Sequence, residues 1–381
     1  MKNGEQNSPW SVRLTANYRE RFRGVYNMEC NKFELILSGE GGFRVEWGDG
    51  TAEEGELGAK YCTLLHLYAR RGTYPVRVSG IGRGRVTEFH AAGRGDHSNE
   101  YSDLELEGCG ELRVLSCFHN ALTALDVSGC TKLRELTCSQ NRLTELKLDG
   151  CAELRKLECR DNSLTELDLS QSPELETLYC TYNRLTSLDL SQNPKLVQVQ
   201  CYGNGLTEFD VSQNLMLENL HCSENRLTRL DFSQNPKLYS LNCGDNELTE
   251  LKLKGCVELG DVNCSCNRLT RLDFSQNPKL EYVRCSENRL TRLDFSQNPE
   301  LVYVKCSENR LTELEVKGCA KLDGVDCSQN QLTELDVSQN PVLQYLKCSD
   351  NPFIGPEPKP NKKGKKPTRQ GIRTIRFSKG S

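Results

Sequence analysis

The sequence predicts a β-rich fold: a solenoid of about twelve stacked 21-residue turns, preceded by a small β-sandwich. Three observations predict it. Twelve cysteines stand at a constant step of 21 residues, Cys117, Cys138, Cys159 and onward to Cys348. Twelve asparagines keep the same step from Asn120 to Asn351. Before these columns, Phe43, Val45 and Trp47 alternate with polar residues, the pattern of a half-buried strand. A fixed period of this size marks a stacked-repeat architecture.

After Trp47 comes the turn Gly48-Asp49-Gly50-Thr51, then His66-Leu67-Tyr68, then Gly72-Thr73-Tyr74-Pro75-Val76-Arg77-Val78. The turn suits a hairpin and the short alternating strands suit a sandwich. This W-G-D-G-T, H-x-Y, G-T-Y-x-V-x-V series resembles the PKD-like (polycystic-kidney-disease) β-sandwich over residues 25–80, which implies an extracellular spacer with Trp47 in its core. Residues 1–24 read as an N-terminal extension. Cys30 and Cys62 are a possible pair in an oxidising compartment, but a lone pair carries no proof of connectivity.

Residues 81–111 read as an irregular capping unit. Val86, Phe89 and Ala91 imitate the strand of a repeat, and Leu104-Glu105-Leu106 sits one period before Leu125. The loop 93–100 contains Arg94-Gly95-Asp96, an adhesion tripeptide that three-residue matching produces easily by chance.

Residues 112–354 hold the repeats, with the unit L-x-x-L-x-C-x-x-N-x-L-T-x-L-D-L-S-x-N-P-x. The first copy begins Leu112-Arg113-Val114-Leu115-Ser116-Cys117-Phe118-His119-Asn120. Residues 225–238 and 267–280 are identical, NRLTRLDFSQNPKL. Alternation around Leu115-Ser116-Cys117 predicts one strand per unit, and Leu125-Asp126-Val127 a second extended wall. Asn-Pro and Gly-Cys pairs between them mark turns. One unit cannot bury its leucines alone, so neighbours stack to share a core. Each fully buried Leu then contributes roughly 1.5–3 kcal/mol.

These units resemble the leucine-rich-repeat family in its short bacterial, cysteine-containing, internalin-like form. The spacing L-x-x-[LV]-x-C-x-x-N recurs in every unit, with Val at Val199, Val262, Val283, Val304 and Val325. The resemblance implies a right-handed leucine-rich-repeat solenoid with a parallel sheet on its concave face. It also implies a cell-surface or secreted binding protein. The N-terminus MKNGEQNSPW lacks the apolar core of a secretion signal, which leaves a cytoplasmic location open.

The columns have structural explanations. Cysteine fills a buried column as a compact hydrophobe. Parallel strands hold successive Cβ atoms near 4.8 Å apart, beyond the roughly 3.5–4.5 Å of a disulfide, so free thiols are expected. A straight row of thiols does not converge as zinc requires, and no metal or cofactor is expected. The buried asparagines must be hydrogen-bonded, within their turns and to adjacent ones. The aspartates from Asp126 to Asp336 are expected to cap local amides or pair with Arg229, Arg271 and Arg292 rather than to bind calcium, which needs six to eight convergent oxygens. Cys109, Cys130, Cys151, Cys256 and Cys319 occupy the turn slot that elsewhere holds Asn193 or Asn235. Cys266 interrupts a polar column and is the candidate exposed thiol.

Residues 355–381 are a basic tail, with nine Lys+Arg against one acidic residue over 357–381. A solvated segment and attraction to an anionic surface are both open readings. Ile372, Ile375 and Phe377 also fit a cap over the last repeat. No aromatic platform points to nucleic acid.

The whole chain of 381 residues balances 49 Lys+Arg against 53 Asp+Glu, which excludes a globally basic nucleic-acid binder. No apolar run is long enough for a membrane-spanning helix. There is no HExxH, P-loop, GxSxG or Rossmann fingerprint, and five scattered histidines form no nucleophile or metal pattern. No catalytic residue is therefore assigned.

The outward strand positions, in register with Val114, Ser116 and Phe118, carry a pattern instead. Midway stand Tyr179, Tyr182, Tyr202 and His221. Further on come Tyr282 with Arg284, Tyr303 with Lys305, and Tyr345 with Lys347. Tyr and Arg are favoured at binding hot spots, so these ten residues are the candidate partner face, suited to an acidic or glycan-bearing partner. The alternatives are a structural or adhesive scaffold that repeats only for length and, less favoured, an enzyme with an unfamiliar cleft.

Overall fold

The computed structural model describes residues 10–18, 21–23, 26–28, 32–91 and 101–354. Cys30, Arg94-Gly95-Asp96 and the basic tail with Ile372, Ile375 and Phe377 lie outside them. All regular elements among the described residues are β-strands. The chain divides into two units, Met1–Asn193 and Pro194–Ser381.

The first unit opens with β1 (Ser11–Tyr18), β2 (Arg21–Arg23), β3 (Tyr26–Met28), β4 (Lys32–Glu46), β5 (Ala52–Leu57), β6 (Cys62–Leu67), β7 (Gly72–His90), β8 (Tyr101–Glu107) and β9 (Val114–Ser116). The long strands β4 and β7 run antiparallel, and β4 changes its other partner half-way. Its first half pairs with β6, Leu35 opposite Leu64, and its second half with β5, Phe43 opposite Gly55. The change falls where the β4–β7 register slips, between Ser38 and Gly39 and again between Glu40 and Gly42. A Cβ on Gly39 would stand 1.9 Å from the Arg85 carbonyl oxygen, so only glycine fits this bend.

Trp47 is buried, as its place in the alternation implies, and donates from Nε1 to Glu53 at 2.9 Å. In the following turn Asp49 accepts from the Thr51 amide at 3.0 Å and lies 2.8 Å from His66 Nε2. Partial burial works against the Asp49 carboxylate, but the Thr51 and His66 hydrogen bonds outweigh it and bring Asp49 down to about 2.

β7 does not end with this antiparallel module. Its last residues pair in parallel with β9, Phe89 opposite Leu115. β8, which carries Leu104 and Leu106, lies antiparallel to β1. From β9 the chain steps by 21 residues to the strands Glu135–Thr137, Lys156–Glu158 and Thr177–Tyr179, each parallel and in register with the one before.

The second unit repeats this arrangement. Its parallel strands start at Gln198, Asn219, Ser240, Asp261, Tyr282, Tyr303, Gly324 and Tyr345. The fold in both units is the leucine-rich-repeat solenoid that the period predicts. The second wall is regular only in places: Ala124–Asp126 pairs with Glu145–Lys147, Arg229–Asp231 with Glu250–Lys252, and Arg292–Asp294 with Glu313–Glu315.

The columns do what their chemistry allows. No disulfide joins the described cysteines, and burial pushes column thiols such as Cys117 and Cys222 up to about 12. Asn225 shows the asparagine pattern. Its amide donates to the carbonyls of Cys222 and Cys201, at 3.1 and 3.2 Å, and its oxygen accepts from the Leu206 amide at 3.0 Å. One side chain thus fastens its own turn to its neighbour. Asp126, Asp168, Asp189, Asp210, Asp231, Asp273, Asp294 and Asp336 each accept from the amide two residues on, a local capping role.

The turn slot shared by Asn and Cys has a physical reason. Asn235 donates to Val211 and Asn214 carbonyls, while its buried oxygen meets no donor among the described residues. The slot needs only a donor, and in it the Cys256 thiol points at the Phe232 carbonyl, 3.3 Å away. Cys266 differs from its expected exposure. It is half-buried rather than exposed, and Cys62 is half-buried too. Burial, then Asp245 and Glu287 beside it, push its thiol up to about 12.

Candidate functional site

In repeat strands such as Tyr282–Arg284 and Tyr303–Lys305 the middle residue is buried and the flanking two are more accessible, so the outer face is built from residues 21 apart. Just beyond the strand the backbone turns through a left-handed residue. His119, Gln140, Asp161 and Tyr182 occupy it in the first unit, with φ between 50 and 60°. In the second unit it holds Glu224, Asp245, Cys266, Glu287, Glu308, Gln329 and Asp350, with glycine only at Gly203. A non-glycine residue there costs about 1–2 kcal/mol, which the in-register hydrogen bonds around it hold in place, such as Glu287 N to Ser307 O at 3.0 Å.

On the first unit's face, Glu158 accepts from Lys156 at 2.7 Å and from Arg160 at 2.8 Å. The Arg160 guanidinium also lies 5.3 Å from the centre of the Tyr179 ring. Tyr179 is half-buried in its strand, whereas Tyr182 stands 47% exposed at the left-handed turn, off the strand itself.

On the second unit's face, Tyr202 stacks on His221 with ring centres 4.1 Å apart. His221 Nε2 lies 2.7 Å from Ser223 Oγ and 2.8 Å from the Asn242 amide nitrogen. Burial lowers His221 to about 4, so near neutral pH it is an uncharged hydrogen-bonding ring.

Further along, Tyr282 and Tyr303 are register partners, and Tyr303 approaches Tyr345 across Gly324, with ring centres 6.4 Å apart. A Cβ on Gly324 would meet the Tyr303 ring at 2.7 Å. The cations behave differently from one another. Arg284 is paired with Asp261 at 2.9 Å and Lys347 with Asp326 at 3.7 Å. Lys305 is exposed and has no ion-pair partner among the described residues.

One aromatic escaped the sequence reading. Tyr239, 43% exposed, lays its ring over Gly260, where a Cβ would stand 2.6 Å from the ring. The signal was present: Tyr239 and Tyr303 are each followed one period later by glycine.

Among the described residues no group of three His, Cys, Asp or Glu side chains is placed to hold a metal. A shallow concavity of about 380 Å³ lies on the first unit's second wall, lined in part by Glu145, Lys147, Asp149, Glu166, Asp168 and Asp189. Asp168 and Asp189 are already committed to the Ser170 and Ser191 amides. No helix is long and apolar enough to cross a membrane.

No protein-family model matches the chain, and no curated protein sequence does. Solved structures do. The functional domain of InlJ from Listeria monocytogenes, described as including a cysteine ladder, is 34% identical with a TM-score of 0.59. The match covers 70% of this chain and 63% of that one, so this chain spans under two thirds of it. The leucine-rich-repeat protein LIC12759 from Leptospira interrogans is 25% identical at TM-score 0.53, covering 65% of this chain and 74% of that chain. YopM from Yersinia enterocolitica WA-314 is 28% identical at TM-score 0.56, covering 63% and 51%. The solenoid is therefore of the kind seen in internalin-like leucine-rich-repeat proteins.

Proposed function

We propose that this protein is a non-catalytic binding protein whose repeat-strand face recognises a protein or glycan partner. One observation carries the reading. In the second unit, Tyr239 and Tyr303 lie across glycines one turn away, so large rings are fixed in place while part of their surface stays open. Rigid, half-exposed tyrosines offer wide contact area at low entropic cost, the property that makes them hot-spot residues. On the second unit the candidate face comprises Tyr282, Tyr303 and Tyr345 with Arg284, Lys305 and Lys347, and the Tyr202–His221 stack; Tyr179 and Tyr182 belong to the first unit's own strand face.

The likeness to InlJ supports an internalin-like protein acting at a cell surface or after secretion. In that reading residues 25–80 serve as a PKD-like spacer, residues 81–111 as the N-terminal cap and residues 355–381 as a basic tail. The test is the double variant Tyr282→Ala with Tyr303→Ala. Partner capture should be lost while the thermal melt is kept; unchanged capture by the folded variant would remove the face from consideration. The identity of residues 225–238 and 267–280 favours a second reading, a scaffold that repeats for length, and that same unchanged result would support it.

A further inference from the structure

We infer that the strand face of the second unit takes a basic, extended polypeptide segment; this rests on the proposed binding role and adds the chemistry of the partner. The face and its flanks consist of the positions in register with Glu218, Asp261, Arg284 and Glu287. Over residues 198–350 these positions carry ten carboxylates and three cations. The same positions in the first unit, residues 113–182, carry four of each. The acidic excess therefore belongs to one stretch of the solenoid and is not a general property of the repeat.

Pairing sharpens the difference. Arg284 and Lys347 are each held by a carboxylate of the face, Asp261 and Asp326. The tyrosine–cation rows are thus largely neutralised from within, and their residual field is negative. Meanwhile Glu224, Asp245, Glu287, Glu308 and Asp350 stand exposed in the left-handed row and make no ion pair among the described residues. A partner of opposite charge gains from this field in both encounter rate and orientation, whereas an acidic partner is repelled.

The tyrosines specify the kind of cation. Aromatic faces beside carboxylates hold Lys or Arg by combining cation–π contact with an ion pair. The first unit makes this arrangement internally: Arg160 pairs with Glu158 at 2.8 Å while lying 5.3 Å from the Tyr179 ring centre. In the second unit Tyr239 lies near Glu281 and Asp261, Tyr282 is the register partner of Asp261 and Tyr303 lies near Asp326, and among the described residues no arginine stacks on these rings as Arg160 does on Tyr179. The acidic positions recur turn by turn, about 4.8 Å apart where they are consecutive. A segment running along the sheet meets several of them, whereas a compact ligand meets one.

The experiment is fluorescence anisotropy on the full chain with three probes: a labelled Lys–Ala repeat peptide, its Glu–Ala counterpart, and labelled maltohexaose as an uncharged oligosaccharide. The Lys–Ala peptide should bind best, and its affinity should fall as salt rises from low to physiological ionic strength. Glu287→Gln with Glu308→Gln and Asp350→Asn, all surface changes, should weaken it about tenfold. Tyr239→Ala should weaken it without shifting the thermal melt. Tighter binding of the Glu–Ala peptide or of maltohexaose, or indifference of Lys–Ala binding to the three charge removals, overturns the inference. Either result leaves the proposed binding role standing, because that role falls only if the Tyr282→Ala, Tyr303→Ala variant still captures its partner.

Discussion

The ring of Tyr303 rests over Gly324, so close that a Cβ on the glycine would stand 2.7 Å from it. The face at this point is set by what Gly324 lacks. Gly324→Val should push the Tyr303 ring away from Tyr345 and weaken partner binding about tenfold, with little change in melting temperature because the ring has solvent to move into. Binding and thermal melts on the same preparation check this. A variant that binds normally would mean the ring's placement is incidental.

The asparagine columns separate two kinds of demand. Asn225 both donates and accepts in a buried site, so Asn225→Cys should cost about 1–3 kcal/mol by leaving the Leu206 amide without its acceptor. Asn235 is used only as a donor, and Asn235→Cys should cost less than about 1 kcal/mol. Denaturant melts of the two variants, side by side, decide whether the acceptor is the distinguishing feature.

His221 gives the fold a defined pH response. Its folded-state pKa lies at about 4, below the ordinary 6.5, because burial disfavours the charged ring. The unfolded chain therefore binds the extra proton first. Stability should be full above about pH 6.5, fall as the pH drops, and level off below about 4. With allowance for the ring's partial exposure, the loss is on the order of 2 kcal/mol. His221→Gln should flatten that part of the stability–pH curve, measured by urea melts at stepped pH.

Thiol chemistry provides a map of the core. Burial holds Cys117, Cys222 and their column neighbours as protonated thiols, so iodoacetamide should leave them unmodified in the native protein and modify them all in denaturant. Cys266 should react slowly despite its access to solvent, because burial and the carboxylates of Asp245 and Glu287 oppose its thiolate. Asp245→Asn with Glu287→Gln should speed it. Peptide mass mapping reads out both results.

The solenoid was legible from sequence because its cause is periodic. Cys201 and Cys222, or Asn225 and Asn246, declare by spacing alone that they sit on adjacent turns. What escaped depends on neighbours that do not share a column. Arg284 finds Asp261 on a diagonal, 23 residues away rather than 21, so a reading by columns treats it as a free cation. Tyr239 lies just before its strand, outside the columns of Val114, Ser116 and Phe118, and its significance comes from the side chain missing at Gly260. His221 reads as a polar face residue until the Tyr202 ring and the Asn242 amide are seen around it. Periodicity fixes which residues are adjacent, whereas charge state and ring orientation follow from three-dimensional surroundings that differ from turn to turn.

The hydrogen bonds that Asn225 makes to its own turn and to the preceding one connect like to like. A chain wound this way can gain or lose length only in quanta. Duplicating one whole period presents every adjoining coil with the partner it already had, whereas a single inserted residue throws the cysteine, asparagine and leucine files out of step together. The identical stretches at 225–238 and 267–280 meet this condition: they stand a whole number of periods apart, so the same coil serves at two places in the stack without breaking any file.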